Sequence, residues 1–99
     1  MVSLKTIFET MDEIQAAYLR TESAAAAGFL FFRFRIFDDL ELVVYYDLRS
    51  NEISRFEAVD DFDWDNDRTL FGCDSLSKVD IIAFCMEAMK RQLKSRQAR

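Results

Sequence analysis

The nine residues from Phe29 to Phe37 constrain the fold most, because their side chains alternate with a period of two. The side chains of one face are all apolar: Leu30, Phe32, Phe34 and Ile36. The other face mixes phenylalanines with arginines: Phe29, Phe31, Arg33, Arg35 and Phe37. Alternation of this kind, with aromatic and β-branched residues, predicts a β-strand.

The segments that follow predict further strands joined by short turns. Asp38-Asp39 suits a tight turn, and the Val- and Tyr-rich segment Leu40–Asp47 predicts a second strand. Residues 48–51 supply another turn, with Asn51 suited to the left-handed conformation. Ile53–Val59 predicts a third strand, and Arg68–Phe71 is either a short fourth strand or an ordered loop. Short turns between strands indicate an antiparallel meander.

Helical periodicity is found on both sides of this region. Ser3 is suited to cap a helix whose apolar positions are Leu4, Ile7, Phe8, Met11, Ile14 and Tyr18. That helix is expected to end near Glu22, or to extend through the alanines to Gly28. Ser77 and Asp80 resemble a capping box before a second helix. We expect its buried side to carry Val79, Ile82, Ala83, Met86, Met89 and Leu93, widened by Ile81, Cys85 and Ala88.

The predicted architecture is therefore α+β, in the order α-β-β-β-(β)-α, with two helices on one face of a small antiparallel meander sheet. The 99 residues form one domain, 1–99, and 51% of them are apolar, which is enough for a packed core. We expect the side chains of Phe32, Phe34, Val44, Trp64, Ile82 and Met86 to be largely buried.

The composition removes most enzyme classes. The chain has no histidine, so it lacks the usual general base, the histidine-activated nucleophiles and the commonest zinc ligand. Its two glycines cannot form a glycine-rich phosphate loop, and its two cysteines are expected to be free and structural. We therefore expect no enzymatic activity and no cofactor. Neither a membrane span nor a signal peptide is indicated, so a cytoplasmic location is expected.

Charge is strongly segregated along the chain. Residues 38–67 carry a formal charge of −9, whereas residues 88–99 carry +5. The acidic part opposes direct binding to nucleic acid, because phosphates are neutralised by Lys and Arg. The same field attracts a partner with a basic surface and speeds its association. A simpler explanation of the acidic excess is that net negative charge keeps the protein soluble.

The segment Val59–Asp67, VDDFDWDND, concentrates this charge and has three interpretations. As a calcium loop starting at Asp63 it resembles an EF-hand, but Arg68 stands where glycine is needed, so we expect no metal. As an extended segment it presents a row of carboxylates ~7 Å apart, with Phe62 and Trp64 anchored in the core. Such a row mimics a nucleic-acid backbone and is suited to Arg and Lys of a partner. As a loop, the segment would only expose its acidic side chains to solvent and would have no binding role.

These features predict a small acidic protein-binding module. The expected partner-binding residues are Asp60, Asp61, Asp63, Asp65, Asp67, Asp38, Asp39, Glu41 and Phe84, the last on the polar side of the second helix. The leading hypothesis is an inhibitor or decoy that blocks the basic, nucleic-acid-binding surface of another protein. Phage-encoded antagonists of bacterial defence, including anti-CRISPR proteins, are similar in size and charge, and act in the host cytoplasm.

An alternative hypothesis uses the second face of the sheet. Phe29, Phe31, Phe37, Val43 and Tyr45 are expected to form an exposed apolar patch, although Arg33 and Arg35 are also expected to pair there with Glu41, Asp47, Glu52 or Glu57. That patch suits a homodimeric scaffold or chaperone-like subunit that holds a client.

Overall fold

A five-stranded antiparallel sheet organises the chain, in the spatial order β1-β2-β3-β4-β5. The computed structural model describes residues 3–37, 40–60, 68–73 and 78–97. The elements are α1 (Leu4–Glu13), β1 (Ala17–Ala24), a 3-10 turn (Ala25–Ala27), β2 (Phe29–Phe37), β3 (Leu40–Asp47), β4 (Glu52–Asp60), β5 (Arg68–Cys73) and α2 (Lys78–Gln97). The predicted α+β class is confirmed: a meander sheet follows one helix in the chain and precedes the other.

Helix α1 begins where the sequence predicts and ends earlier. The Ser3 hydroxyl accepts a hydrogen bond from the Thr6 amide at 3.2 Å, which confirms Ser3 as the N-cap. At the other end Gln15 has a φ of 60°, and the Ala16 amide donates to the Met11 carbonyl at 2.8 Å. A left-handed residue with this hydrogen bond is a Schellman motif, which satisfies the last carbonyls of the helix. The predicted extension to Glu22 or Gly28 is therefore wrong.

The residues that follow form an additional strand, β1, which sequence reasoning assigned to the helix. Thr21 pairs with Phe32 and Glu22 with Phe31 on β2. Pairing with a neighbouring strand outweighs the modest helix propensity of the alanines, because propensity is only a weak preference. Gly28 is left-handed, with a φ of 81°, but it turns the chain between strands rather than ending a helix. The positive φ favours glycine at this position, and an added Cβ would also lie 3.0 Å from Arg49 Nε and displace that side chain.

The remaining strands agree closely with the predictions. β3 has the predicted limits, and β4 is one residue longer at each end than expected. Between them Asn51 has a φ of 56°, which confirms its left-handed conformation. The Asp47 side chain accepts a hydrogen bond from the Arg49 amide at 2.8 Å within the same turn. The fourth predicted strand is present as β5.

Both helices cover one face of the sheet, and the core lies between these two layers. Phe34, Leu42, Val44 and Phe56 project from the strands into a cluster that includes Ile7 and Met11 of α1 and Ile81, Phe84, Cys85 and Ala88 of α2. Phe34 and Val44 are buried as predicted, and Phe32 is half-buried against the same cluster. Trp64 lies outside the described residues.

The rotation of α2 differs from the prediction. Met86 is 53% exposed and Ile82 is half-buried, whereas Ile81 is fully buried. The helix carries two apolar stripes, one through Ile81, Cys85 and Ala88 and one through Ile82, Met86 and Met89. The sequence favoured the stripe with the larger side chains. In the structure the stripe through Ile81, Cys85 and Ala88 faces the sheet, and Phe84 is buried with it.

Phe34 and Phe37 provide a matched test of which side chains form the core, since both are on β2. Phe34 is 1% exposed and Phe37 is 50% exposed. We expect Phe34→Ala to lower the free energy of unfolding by about 3–5 kcal/mol, because it leaves a cavity. Phe37→Ala should cost less than about 1 kcal/mol. Urea denaturation measures both, and equal losses would contradict the assignment of faces.

Cys85 should be chemically inert in the folded protein. It is a free, buried cysteine, and burial raises the pKa of its thiol to about 12. At pH 8 the reactive thiolate is then only about one part in ten thousand. In a Cys73→Ser background, we expect a disulfide reagent such as dithionitrobenzoate to react with native protein far more slowly than with urea-unfolded protein. The Cys85→Ala, Cys73→Ser variant gives the blank, and equal rates in both states would show that the thiol is accessible.

Candidate partner-binding site

One end of the sheet brings together the two acidic connections of the chain. Leu40, the first residue of β3, pairs with Asp60, the last residue of β4. Asp60 in turn pairs with Arg68, the first residue of β5. We call these three paired residues the acidic-end rung. Residues 38–39 are covalently joined to the rung at Leu40, and residues 61–67 join Asp60 to Arg68. Both acidic segments therefore begin at the same end of the sheet.

Most of the predicted partner-binding residues belong to these two segments. Asp38, Asp39, Asp61, Asp63, Asp65 and Asp67 lie outside the described residues, as do the proposed anchors Phe62 and Trp64. Asp60 is described only by its backbone, as the last residue of β4. The described part of the chain holds no cluster of three or more acidic or cysteine residues suited to a metal ion. The calcium-loop alignment covers residues 63–74, of which Arg68–Cys73 form strand β5 and the others lie outside the described part.

Phe84 and Glu41 are not at the surface, which corrects the prediction for both. Phe84 is 7% exposed and belongs to the core cluster, because the buried side of α2 is rotated from the predicted one. Glu41 is 1% exposed on the sheet face opposite the helices. Sequence reasoning treated it as part of the acidic surface, since acids are seldom buried unless paired. Neither side chain is accessible to a partner in this conformation.

The burial of Glu41 is explained by a ladder of charges across β1, β2 and β3. Arg33 Nη1 lies 3.7 Å from Glu41 Oε1, and Arg33 Nε donates a hydrogen bond to Glu22 Oε1. Arg20 Nε lies 3.5 Å from the same Glu22 oxygen. Arg33 is only 16% exposed, so its guanidinium meets Glu41 in a partly desolvated position where opposite charges attract strongly. The predicted pairing of Arg33 with Glu41 is confirmed.

A second polar contact on this face joins β3 and β4. The Tyr45 hydroxyl donates to Glu57 Oε2 at 2.8 Å, and Arg55 Nε donates to Glu57 Oε1 at 3.1 Å. Phe31 packs edge-on against the Tyr45 ring, with centroids 4.7 Å apart. Both oxygens of the Glu57 carboxylate are thus engaged within the sheet. The Tyr45 hydrogen bond links β3 to β4, whereas Arg55 lies on the same strand as Glu57 and neutralises its carboxylate.

The aromatic face is consequently not the open apolar patch that the sequence predicted. Val43 is 3% exposed, and Phe29, Phe31 and Tyr45 are half-buried. Phe37, at the end of β2, is the member of the set that is largely exposed. Ion pairs are interleaved with the aromatic rings, so the face is a mixed polar and aromatic surface.

Sequence reasoning missed Glu22 and Arg20 as members of the charge ladder, because it placed both on a helix. The signal that would have found them is local. Tyr18 and Thr21 favour strands, and Arg20 and Glu22 share one face when the period is two.

No family model, curated protein or solved structure matches the chain. None of the described helices combines the length and hydropathy of a transmembrane span.

The pKa of Tyr45 gives a pH test of this face. Burial raises its pKa above the ordinary value of 10, the hydrogen bond to Glu57 and the charge of that carboxylate raise it further, and Arg55 and Arg33 oppose the shift. Neutral Tyr45 therefore contributes stability that is fully present below pH 10 and is lost as pH rises through the folded-state pKa. We expect the free energy of unfolding to fall more steeply above pH 10 in the parent than in Tyr45→Phe.

Glu57→Gln supplies the second arm of this experiment. Removing the carboxylate charge should lower the pKa of Tyr45 and reduce the excess slope, although the tyrosine itself remains. Urea denaturation between pH 8 and about 11, with tyrosinate absorbance followed in parallel, measures both effects. Parallel pH profiles for the parent and Tyr45→Phe would show that the hydroxyl is not shifted by its surroundings.

Proposed function

We propose that the protein is an acidic protein-binding module that acts as an inhibitor or decoy. In this proposal the acids of residues 38–39 and 60–67 form one surface at the acidic-end rung. That surface occupies a basic, nucleic-acid-binding surface of another protein. The observation that supports this most is the pairing of Leu40 with Asp60 and of Asp60 with Arg68, which starts both acidic segments at one end of the sheet.

The charge balance of the rest of the molecule supports the same assignment. Glu41 and Glu57 are neutralised by Arg33 and Arg55 within the sheet, so they contribute little to the outward field. The remaining acids of residues 38–67 are concentrated in the connections rather than on the strand faces. A concentrated field speeds encounter with a cationic partner, and carboxylates in a row form charge-assisted hydrogen bonds with Arg.

The aromatic face supports the scaffold hypothesis less well than the acidic end supports the decoy hypothesis. An apolar client needs an open apolar face, whereas on this face Val43 is buried, three of the aromatic rings are half-buried, and ion pairs lie between the rings. The profile that remains is that of a small protein with a strongly acidic end. Antagonists of nucleic-acid-binding defence proteins, including anti-CRISPR proteins of phages, are the functional class that we propose on this basis.

A pull-down with a matched charge control tests the proposal. The bait variant Asp61→Asn, Asp63→Asn, Asp65→Asn and the control variant Glu9→Gln, Asp12→Asn, Glu52→Gln each remove three negative charges. Glu9, Asp12 and Glu52 are exposed and lie on α1 and at the opposite end of β4. Proteins retained by parent and control but lost with the acidic-end variant are candidates, to be identified by mass spectrometry and purified.

Binding measurements on the purified candidates then test whether the protein acts as a decoy. We expect the acidic-end variant to bind at least about tenfold more weakly at low salt, mainly through a slower association rate, since close charge pairs steer encounter. Added salt should reduce the difference from the parent. The parent should also displace nucleic acid from the candidate in a competition assay. Equal binding by both triple variants, or no displacement of nucleic acid, would overturn the proposal.

A further inference from the structure

The outer edge of β1 pairs with no further strand among the residues that the structure describes. Among the strands that the structure describes, β1 pairs with β2 alone and ends the sheet. Most of its eight residues are exposed, with Leu19 and Ala24 half-buried. An edge strand presents alternate N–H and C=O groups to solvent, and these groups pair readily with another strand.

We propose that this edge pairs with the β1 edge of a second copy of the chain, in antiparallel orientation about a two-fold axis at Thr21. In that register Arg20 of each copy lies directly opposite Glu22 of the other. Both side chains are on the same face, and their exposed fractions are 55% and 44%. Opposite charges placed across an antiparallel pair stabilise it, and the symmetry supplies two such pairs per dimer.

The same charges discriminate against other registers. Sliding each copy by one residue moves the two-fold axis to Arg20 or to Glu22. The first register puts Arg20 opposite Arg20, and the second puts Glu22 opposite Glu22. Like charges directly opposite one another are destabilising, so β1 favours the Thr21-centred register. Charged side chains can also protect a sheet edge from association, but that role does not require Arg20 and Glu22 to be placed symmetrically about Thr21.

Two exposed aromatic rings beside the edge support a second copy as its occupant. Tyr18 is 49% exposed and Phe8 is 38% exposed, and their centroids are 5.6 Å apart. The bulge between Tyr18 and Arg20 puts Tyr18 on the helix side of the sheet, next to the end of the Thr21-centred paired segment. The added strand therefore removes part of the Tyr18 ring from water, which contributes apolar burial beside the polar pairs. The bulge between Tyr18 and Arg20 keeps the paired segment short, which is typical of a weak, concentration-dependent dimer.

Sedimentation velocity on the full-length chain, from micromolar to millimolar concentration, tests the dimer. We expect the parent to dimerise reversibly, and Arg20→Glu to weaken the dimer at least about tenfold, because glutamates would then oppose each other. Lys90→Glu is the matched control, since it makes the same charge change at an exposed position of α2. It should leave the dissociation constant unchanged, and high salt should bring the Arg20→Glu value towards the parent's.

Site-directed cross-linking tests the register. In a Cys73→Ser background, Thr21→Cys places two thiols across the axis at a Cα separation of about 4.5–5.5 Å, which a disulfide spans. Ser23→Cys is the control on the same strand and face, and its two copies lie ~13 Å apart along the strands. With oxidised glutathione we expect rapid dimer formation from Thr21→Cys alone.

Each outcome decides between alternatives. A parent that stays monomeric to millimolar concentration overturns the proposal and leaves the edge to a strand of another protein. Equal weakening by Arg20→Glu and Lys90→Glu, or equal cross-linking at positions 21 and 23, overturns the Thr21-centred register. The result is independent of the acidic end, because none of these variants changes residues 38–39 or 60–67.

Discussion

The molecule depends on a sheet that buries side chains on both of its faces. On β3, Leu42 and Val44 face the helices and are buried, and Glu41 and Val43 face away and are also buried. Strict alternation leaves the strand no other arrangement, because a shift of one residue would put the carboxylate of Glu41 into the apolar core. A buried carboxylate is costly unless a cation accompanies it, so Arg33 must lie on the same face of β2. The charge ladder from Arg20 to Glu41 is thus a structural requirement of the fold.

The elements that could be predicted are those whose signal is local. The limits of β3 follow from its Val- and Tyr-rich alternation, the cap at Ser3 from one hydroxyl, and the turn at Asn51 from one residue that tolerates a positive φ. Each of these depends on a few neighbouring residues. Sequence periodicity is enough for such elements, since the energies that select them act over one turn or one strand.

The elements that could not be predicted depend on distant parts of the chain. β1 exists because β2 pairs with it, and the left-handed residue that frees it is Gln15, a residue type with no special preference for that conformation. The rotation of α2 was ambiguous because two apolar stripes share the helix, and only the shape of the sheet decides between them. Phe84 was misplaced with that rotation. Glu41 was misplaced because the sequence predicts its pairing with Arg33 but not the depth at which that pair is buried.

The strand order separates the two surfaces on which function and assembly would depend. The acidic-end rung lies on β3, β4 and β5, whereas the open edge belongs to β1 at the other side of the sheet. A two-fold axis at Thr21 reverses the direction of the strands, so the acidic ends of two copies would point in opposite directions along the sheet. Neither end would be covered by the dimer, and each would remain accessible to its own basic partner. Because the two copies are physically linked, a partner with two basic surfaces would gain affinity only where their spacing matches the separation of the ends. The spacing of the two acidic ends in the dimer would then select among partners, while the charge of each end sets the rate of encounter.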